Sequence, residues 1–358
     1  MQIDRGNLPA LARGCAILGC GGGGDPELPL VMALEAVDRH GPVTLVGPSE
    51  LDDEAVILPC GIVGAPTIAE ERVWGGEEGR TLHEAMELAT GRRVDALMAL
   101  QTAGGSGLLP VAWAARLGLP LLDADGRGRA FPGLDQQSMR LAGLPSGPVI
   151  LADGHGNTMT VRPEDDAWAE RLTRSALLGL GGVSAVALHC MSAADARRAT
   201  IAGTMSRALS VGAAAGHGDP ESRIEGIRRT LEGTILIEGR IRDLERHSDG
   251  DFAGGSVSVV GGAGDRSRRV RLEFQSELLM VLEDGDVCAA VPELISVLQP
   301  DTCTPIGVEH LRQGERVTVL LAPASPGWRS PEAEAIVGPA AFGYEVSFPH
   351  EHLRERDD

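Results

Sequence analysis

The stretch Gly19-Cys20-Gly21-Gly22-Gly23-Gly24-Asp25-Pro26 restricts this chain more than any other. Only glycine takes a positive φ without steric cost, so such a run lets main-chain N–H groups converge on one point. Apolar residues follow at Leu28, Leu30, Val31, Leu34 and Val37, close to helical spacing over Glu27–His40. Asp25 is then the expected N-cap and Pro26 the first helical residue. A bend aimed at a helix N-terminus suits an anion or a polar ligand edge. Gly21, Gly22, Gly23, Gly24 and Asp25 are therefore candidate binding residues. Gly19, Gly21 and Gly24 also spell G-x-G-x-x-G, but that fingerprint belongs after a buried strand. Here it follows Leu8–Leu18, which reads as a helix capped by Asn7, and Asp25 puts negative charge where a pyrophosphate would lie. A tight helix-to-helix turn and a ligand loop both stay open.

The bend opens an alternation of strands and helices across residues 1–165. Val43–Val46, residues 55–59, 95–100 and 119–123 read as strands, and residues 81–90 as a helix ended by Gly91. A second helix follows Gly104-Gly105-Ser106-Gly107 and ends near Gly118. This rhythm predicts an α/β domain with a mainly parallel sheet. Ligands of such sheets lie beyond the strand C-termini, where the loops 61–71, 101–107 and 123–137 are expected. Residues 166–358 form the second expected domain. It starts with a helix at 164–178, a strand at 183–189, Ser192 and Asp195 as a capping box, and helices at 203–215 and 220–231. It continues in strands at 234–245, 255–260, 268–275, 278–281, 287–291 and 316–321, a mostly β pattern. Ser248–Asp251 and Glu283–Asp286 are hairpin signals, and the charged tail 350–358 reads as frayed.

The 358 residues suffice for two cores, and the net charge of −19 with 3% aromatic residues argues against nucleic acid or an anionic membrane as partner. No signal-peptide core is evident, and the most apolar stretch, 108–122, is too short to span a bilayer. Six scattered cysteines without C-x-x-C suit a reduced, cytoplasmic chain. The Ala/Gly-rich composition is compatible with a homo-oligomer.

Asp123-Ala124-Asp125-Gly126-Arg127-Gly128-Arg129 places two acids on one side of a strand end. Such a pair can bind a cation or divide acid and base roles. Alternatively, Arg127 and Arg129 neutralise the acids in a structural loop. Gly64 to Thr67 could present donors to a carbonyl, with Glu70 and Glu71 close behind. Gln101, at a strand end beside Ser106, could offer its amide to a ring N–H or C=O but cannot act as a base. Asp153 with His155, and His189 beside Cys190, lack metal-ligand spacing. No cofactor is predicted, with a zinc ion left as the alternative. No G-x-S-x-G elbow supports a serine nucleophile. Cys20 sits where converging N–H groups would favour a thiolate, and as a small buried filler it fits equally well.

Leu117-Gly118-Leu119-Pro120 running into Asp123-Ala124-Asp125-Gly126, then Gly128-Arg129-Ala130-Phe131-Pro132, resembles the S-methyl thiohydantoin desulfurase family, which is associated with hydantoinase/oxoprolinase-type proteins. Gly203-Thr204, Gly233-Thr234, Phe274-Gln275-Ser276-Glu277, Val337-Gly338-Pro339 and Ala341-Phe342-Gly343-Tyr344 extend the resemblance over nearly the full length. It implies an α/β domain followed by a mostly β domain, and hydrolysis at an activated C=N or C=O carbon of a small hydantoin-like heterocycle. Placed on this chain, the reaction assigns Asp125 or Glu71 as base, with Asp123 beside them. The Gly21–Gly24 amides become donors and Arg129 a substrate clamp. The chain departs from the family pattern at Gln101 and Ser106, where E-x-G-G-x-N is expected, and at Gly133-Leu134-Asp135-Gln136 after Phe131-Pro132. These departures leave open a non-catalytic partner of a hydantoinase-like enzyme, or a repurposed cyclase or ring-opening enzyme.

Overall fold

A computed structural model describes residues 1–72, 74–247, 254–262 and 267–346. The first half runs β1 (Gln2–Ile3), α1 (Leu8–Leu18), α2 (Glu27–His40), β2 (Val43–Val46), β3 (Val56–Gly64), α3 (Pro66–Glu71), α4 (Glu78–Thr90), β4 (Ala96–Ala99) and α5 (Gly104–Leu117). It continues through β5 (Leu121–Leu122), β6 (Ala124–Asp125), α6 (Ser138–Leu141), β7 (Val149–Ala152) and β8 (Thr158–Val161). Then come α7 (Asp166–Gly179), β9 (Val183–Ala187), β10 (Met191–Ser192), α8 (Ala193–Ala199), β11 (Ile201–Ala202), α9 (Thr204–Ala214) and α10 (Pro220–Leu231). Six antiparallel strands follow in β12 (Thr234–His247), β13 (Gly254–Gly261), β14 (Arg268–Gln275), β15 (Glu277–Glu283), β16 (Asp286–Ala290) and β17 (Leu294–Leu298); β18 (Arg316–Ala322) and α11 (Pro331–Val337) close the described chain.

The first sheet is mixed, in the order β1-β2-β5-β4-β3-β9-β7-β8 with β10 against β3. Its centre, β2-β5-β4-β3, is parallel as the alternation predicts. Its flanks are antiparallel, because β9 runs against both β3 and β7 and β1 against β2. The expected boundary at 165/166 therefore does not part the sheet, since β9 lies beyond it in sequence yet in the middle of the first sheet. The second sheet has the order β16-β15-β14-β13-β12-β18-β17, with every pair antiparallel.

Helix α5 is buried from Gly104 to Ala115 on every face, which is why its sequence is apolar all round. Among the described residues no helix is long and apolar enough to cross a membrane. The left-handed pair Asp284 (φ 53°) and Gly285 (φ 92°) turns β15 into β16, as the Asp-Gly signal predicts. The Ser248–Asp251 signal and the 350–358 tail lie outside the described residues.

Four local expectations need correction. The predicted loop 61–71 is strand to Gly64 and then helix α3, because Pro66 is tolerated in a first helical turn. Asn7 flanks α1 without capping it; its side-chain oxygen takes the Asp4 N–H, and the Asp4 carbonyl takes the N–H of Leu8. Asp25 accepts the N–H of Glu27, the first residue of α2, at 2.7 Å, but lies one residue before the cap position, which is Pro26. At α8, Ser192 caps the Asp195 N–H, but the Asp195 carboxylate returns to the Ser192 hydroxyl rather than to its N–H. β1, β7, β8 and β17 escape the sequence reading because they are only two to five residues long, too short for a period to stand out.

Candidate active site at the junction of the two sheets

The glycine bend joins the two sheets. Helix α1 ends at Leu18, and Cys20, Gly21, Gly23 and Gly24 all take positive φ. The turned chain points its carbonyls both ways. Cys20 O accepts from Leu278 N and Gly21 O from Val308 N, both in the antiparallel half. Gly23 O and Gly24 O accept from Ser106 N and Gly105 N, the first turn of α5. The bend thus satisfies donors of α5 that would otherwise need a ligand or water. The N–H groups of Gly23 and Gly24 have no partner among the described residues.

Gly23 and Gly24 line a cleft with Gln101 and Ser106, Arg127 and Phe131 from the loop after β6, and Glu277 at the start of β15. Its empty space, open mouth included, is ≈ 600 Å³. Ile62, Leu134 and Val183 give it apolar walls. The oligoglycine bend and the arginine-bearing loop therefore share one cavity.

Glu277 is the chemically distinctive group. It is 4% exposed, and its Oε2 is buried without a hydrogen-bond partner. Burial pushes its pKa up to about 8, against the pull of Arg129 and Arg127. Ser276, the single residue between β14 and β15, has φ 60°. That left-handed conformation is uncommon for serine and marks a constrained turn. Gly22 leaves the room Glu277 occupies, since a Cβ there would stand 2.5 Å from Glu277 Oε1.

The two acids at the strand end are structural acceptors. Asp125 is wholly buried, and accepts the N–H groups of Thr102 at 2.6 Å, Arg127 at 2.8 Å and Gly128 at 2.7 Å. Burial raises its pKa and these backbone donors pull against that. Asp123 accepts from Ser206 N and Oγ in the first turn of α9. Neither acid lines the cleft.

Arg127 and Arg129 do not neutralise these acids through their side chains. Arg127 Nη1 donates to Gln101 Oε1 at 2.7 Å and Phe131 O at 2.5 Å, and Nη2 to Gly133 O at 2.6 Å. With no carboxylate in contact, burial lowers its pKa to about 10. Arg129, which does not line the cleft, donates to Leu278 O at 2.7 Å and to Glu293 O, tying the loop after β6 to the second sheet. Trp328 Nε1 donates to Arg127 O at 2.7 Å, and its ring meets Phe131 edge-on at 5.8 Å. The far end of the chain therefore fixes the loop that carries Arg127.

The remaining candidates lie apart. Glu71 lines a separate surface depression with Asp153, His155 and Asn157. Thr67 is exposed. Gly21, Gly22 and Asp25 face a neighbouring cavity with Glu70, Glu309 and His310. Cys20 is fully buried and does not line the cleft. Among the described residues no three His, Cys, Asp or Glu side chains converge on a possible metal position. His189 bonds the Pro145 carbonyl through Nδ1. Gln101, Ser106, Gly23 and Gly24 are thus the sequence candidates that converge. Sequence reading missed Glu277 as a site residue, although Phe274-Gln275-Ser276-Glu277 stood out as a landmark of the β half.

An α/β unit joined by a glycine bend to an antiparallel sheet, with an acid-bearing cleft at the junction, defines a protein of two large sheets and a β6–β11 ribbon, whose polar site both halves build. The S-Me-THD-like N-terminal domain matches residues 6–163 and the S-Me-THD-like C-terminal domain residues 164–350, so the chain belongs to the S-methyl thiohydantoin desulfurase family. A crystal structure of a protein from Chromobacterium violaceum, determined by the Northeast Structural Genomics Consortium, is similar with a TM-score of 0.79. It is 23% identical over 97% of this chain and 99% of that one, a likeness that bears on the fold alone. No functionally curated protein matches the sequence.

Proposed function

We propose that the chain hydrolyses a small hydantoin-like or S-methyl thiohydantoin-like ring, with Glu277 as the acid–base group. The observation that carries this reading is Glu277 itself, a buried carboxyl with one unpartnered oxygen in a cleft also lined by Gly23 and Gly24, whose N–H groups have no partner among the described residues. A pKa of about 8 keeps a usable ionised fraction near neutrality and makes the conjugate acid a ready donor.

For an S-methyl thiohydantoin the atoms balance as follows. Ionised Glu277 takes a proton from water as the water oxygen bonds to the ring carbon bearing S-methyl. The C=N electrons move onto nitrogen, where the Gly23 and Gly24 N–H groups stabilise the charge. The nitrogen pair then re-forms C=N, the C–S bond breaks, and the Glu277 proton goes to sulfur. Methanethiol leaves, and the hydroxyl-bearing ring tautomerises to the hydantoin. The apolar walls suit a flat ring.

The test is thiol release from an S-methyl thiohydantoin by wild type and Glu277→Gln. Wild type is expected to turn over with kcat/KM rising to a plateau above about pH 8, the acidic limb set by Glu277 ionisation. Equal turnover by the variant would remove Glu277 from the chemistry.

A further inference from the structure

Gln101 is a primary amide, so by its covalent structure it could face a ligand with either its oxygen or its nitrogen. Arg127 decides the matter. A guanidinium has five N–H donors and no acceptor. Here Nη1 serves Gln101 Oε1 and Phe131 O, and Nη2 serves Gly133 O. The Gln137 amide, with its oxygen toward the guanidinium, accepts from Nη2 and Nε at 2.9 Å each. All five donors are used within the protein, so Arg127 has none left for a ligand. Gln101 can meet that guanidinium only with its oxygen, so its NH₂ is turned away. Gln101 lines the cleft, and its Nε2 has no acceptor among the described residues.

We infer that Arg127 holds Gln101 as an obligate hydrogen-bond donor to the cleft, and that Gln101 selects ligands presenting a bare ring carbonyl oxygen to that wall. The inference rests on the heterocycle reading of the cleft and adds the polarity of one wall to it. A ligand offering an N–H at this point would leave two donors face to face in a site where Gln101 is only 8% exposed. Such a mismatch costs about tenfold or more in affinity. Gln101 is the specificity residue, and Arg127 positions it.

The test follows hydantoin binding to the full chain by the ¹⁵N-resolved side-chain amide of Gln101, assigned by its loss in Gln101→Met. Calorimetry on wild type and Gln101→Glu accompanies it. Glutamate still accepts from Arg127 but turns an oxygen, not an N–H, to the cleft. The expected result is a shift of the Gln101 side-chain pair on adding hydantoin, and binding weakened about tenfold or more in Gln101→Glu. Two results overturn the inference while leaving the heterocycle reading intact. One is a shift of the Gly23 and Gly24 amides without the Gln101 pair. The other is equal hydantoin affinity in wild type and a folded Gln101→Glu. No shift anywhere removes the heterocycle reading and this inference with it.

Discussion

Asp125 and Glu277 are both buried carboxyls, within one joint between two sheets, yet their surroundings differ. Asp125 receives three main-chain N–H groups, whereas Glu277 keeps one oxygen without any partner. The first arrangement is a knot: an anion that orders Thr102, Arg127 and Gly128 around one point. The second is a charge whose form is held open by burial. Burial alone therefore does not mark a functional acid. Its hydrogen-bond supply separates scaffolding from chemistry, and the contrast can be broken or sharpened by substitution.

The largest effect is expected at Glu277. Glu277→Gln should lower kcat/KM by about 10²–10⁴-fold while leaving the far-ultraviolet spectrum of the folded protein unchanged. Gly22→Ala comes next. Gly22 has no positive φ, so the backbone accepts alanine, but the new Cβ would stand 2.5 Å from Glu277 Oε1. The displaced carboxyl should cost about 10²-fold in kcat/KM, measured beside an unchanged melting profile.

Asp125→Asn reverses the pattern. An amide must turn an NH₂ toward at least one of the three N–H donors. A loss of about 1–3 kcal/mol of stability is expected by urea denaturation, with turnover per folded molecule kept within severalfold. A turnover defect as deep as that of Glu277→Gln, without a stability loss, would erase the contrast.

The smallest effect is in the pH dependence of stability. The folded pKa of Glu277 is raised from 4.5 to about 8, so the folded state holds its proton more tightly than the unfolded state. Its contribution is complete below the unfolded value and is lost as pH climbs through about 8. Between about pH 6 and about pH 9 wild type should lose more melting temperature than Glu277→Gln, which has no proton to release.

Much of the fold was legible because it rests on local rules. The parallel core strands announce themselves as apolar runs, and Gly91 and Gly118 end their helices in the left-handed conformation. The antiparallel flanks were not, since nothing local in residues 183–187 says that this strand inserts between β3 and β7. The site divides the same way. The glycine run, Gln101 and Ser106 carry visible signals at loop and helix starts. Asp123 and Arg129 carry the same kind of signal but were claimed by partners that lie far off in sequence, in α9 and in the second sheet, and Asp125 was claimed by the N–H groups of Thr102 and of its own loop. Glu277 gave no signal as an acid, because its isolation is a property of burial between two halves.

The most direct measurement is a ¹³C-carboxyl NMR titration of glutamate-labelled protein, with and without hydantoin. The account predicts one carboxyl titrating near 8, absent from Glu277→Gln and displaced when hydantoin binds. A Glu277 carboxyl titrating at its ordinary value, or one that hydantoin leaves untouched, would contradict it.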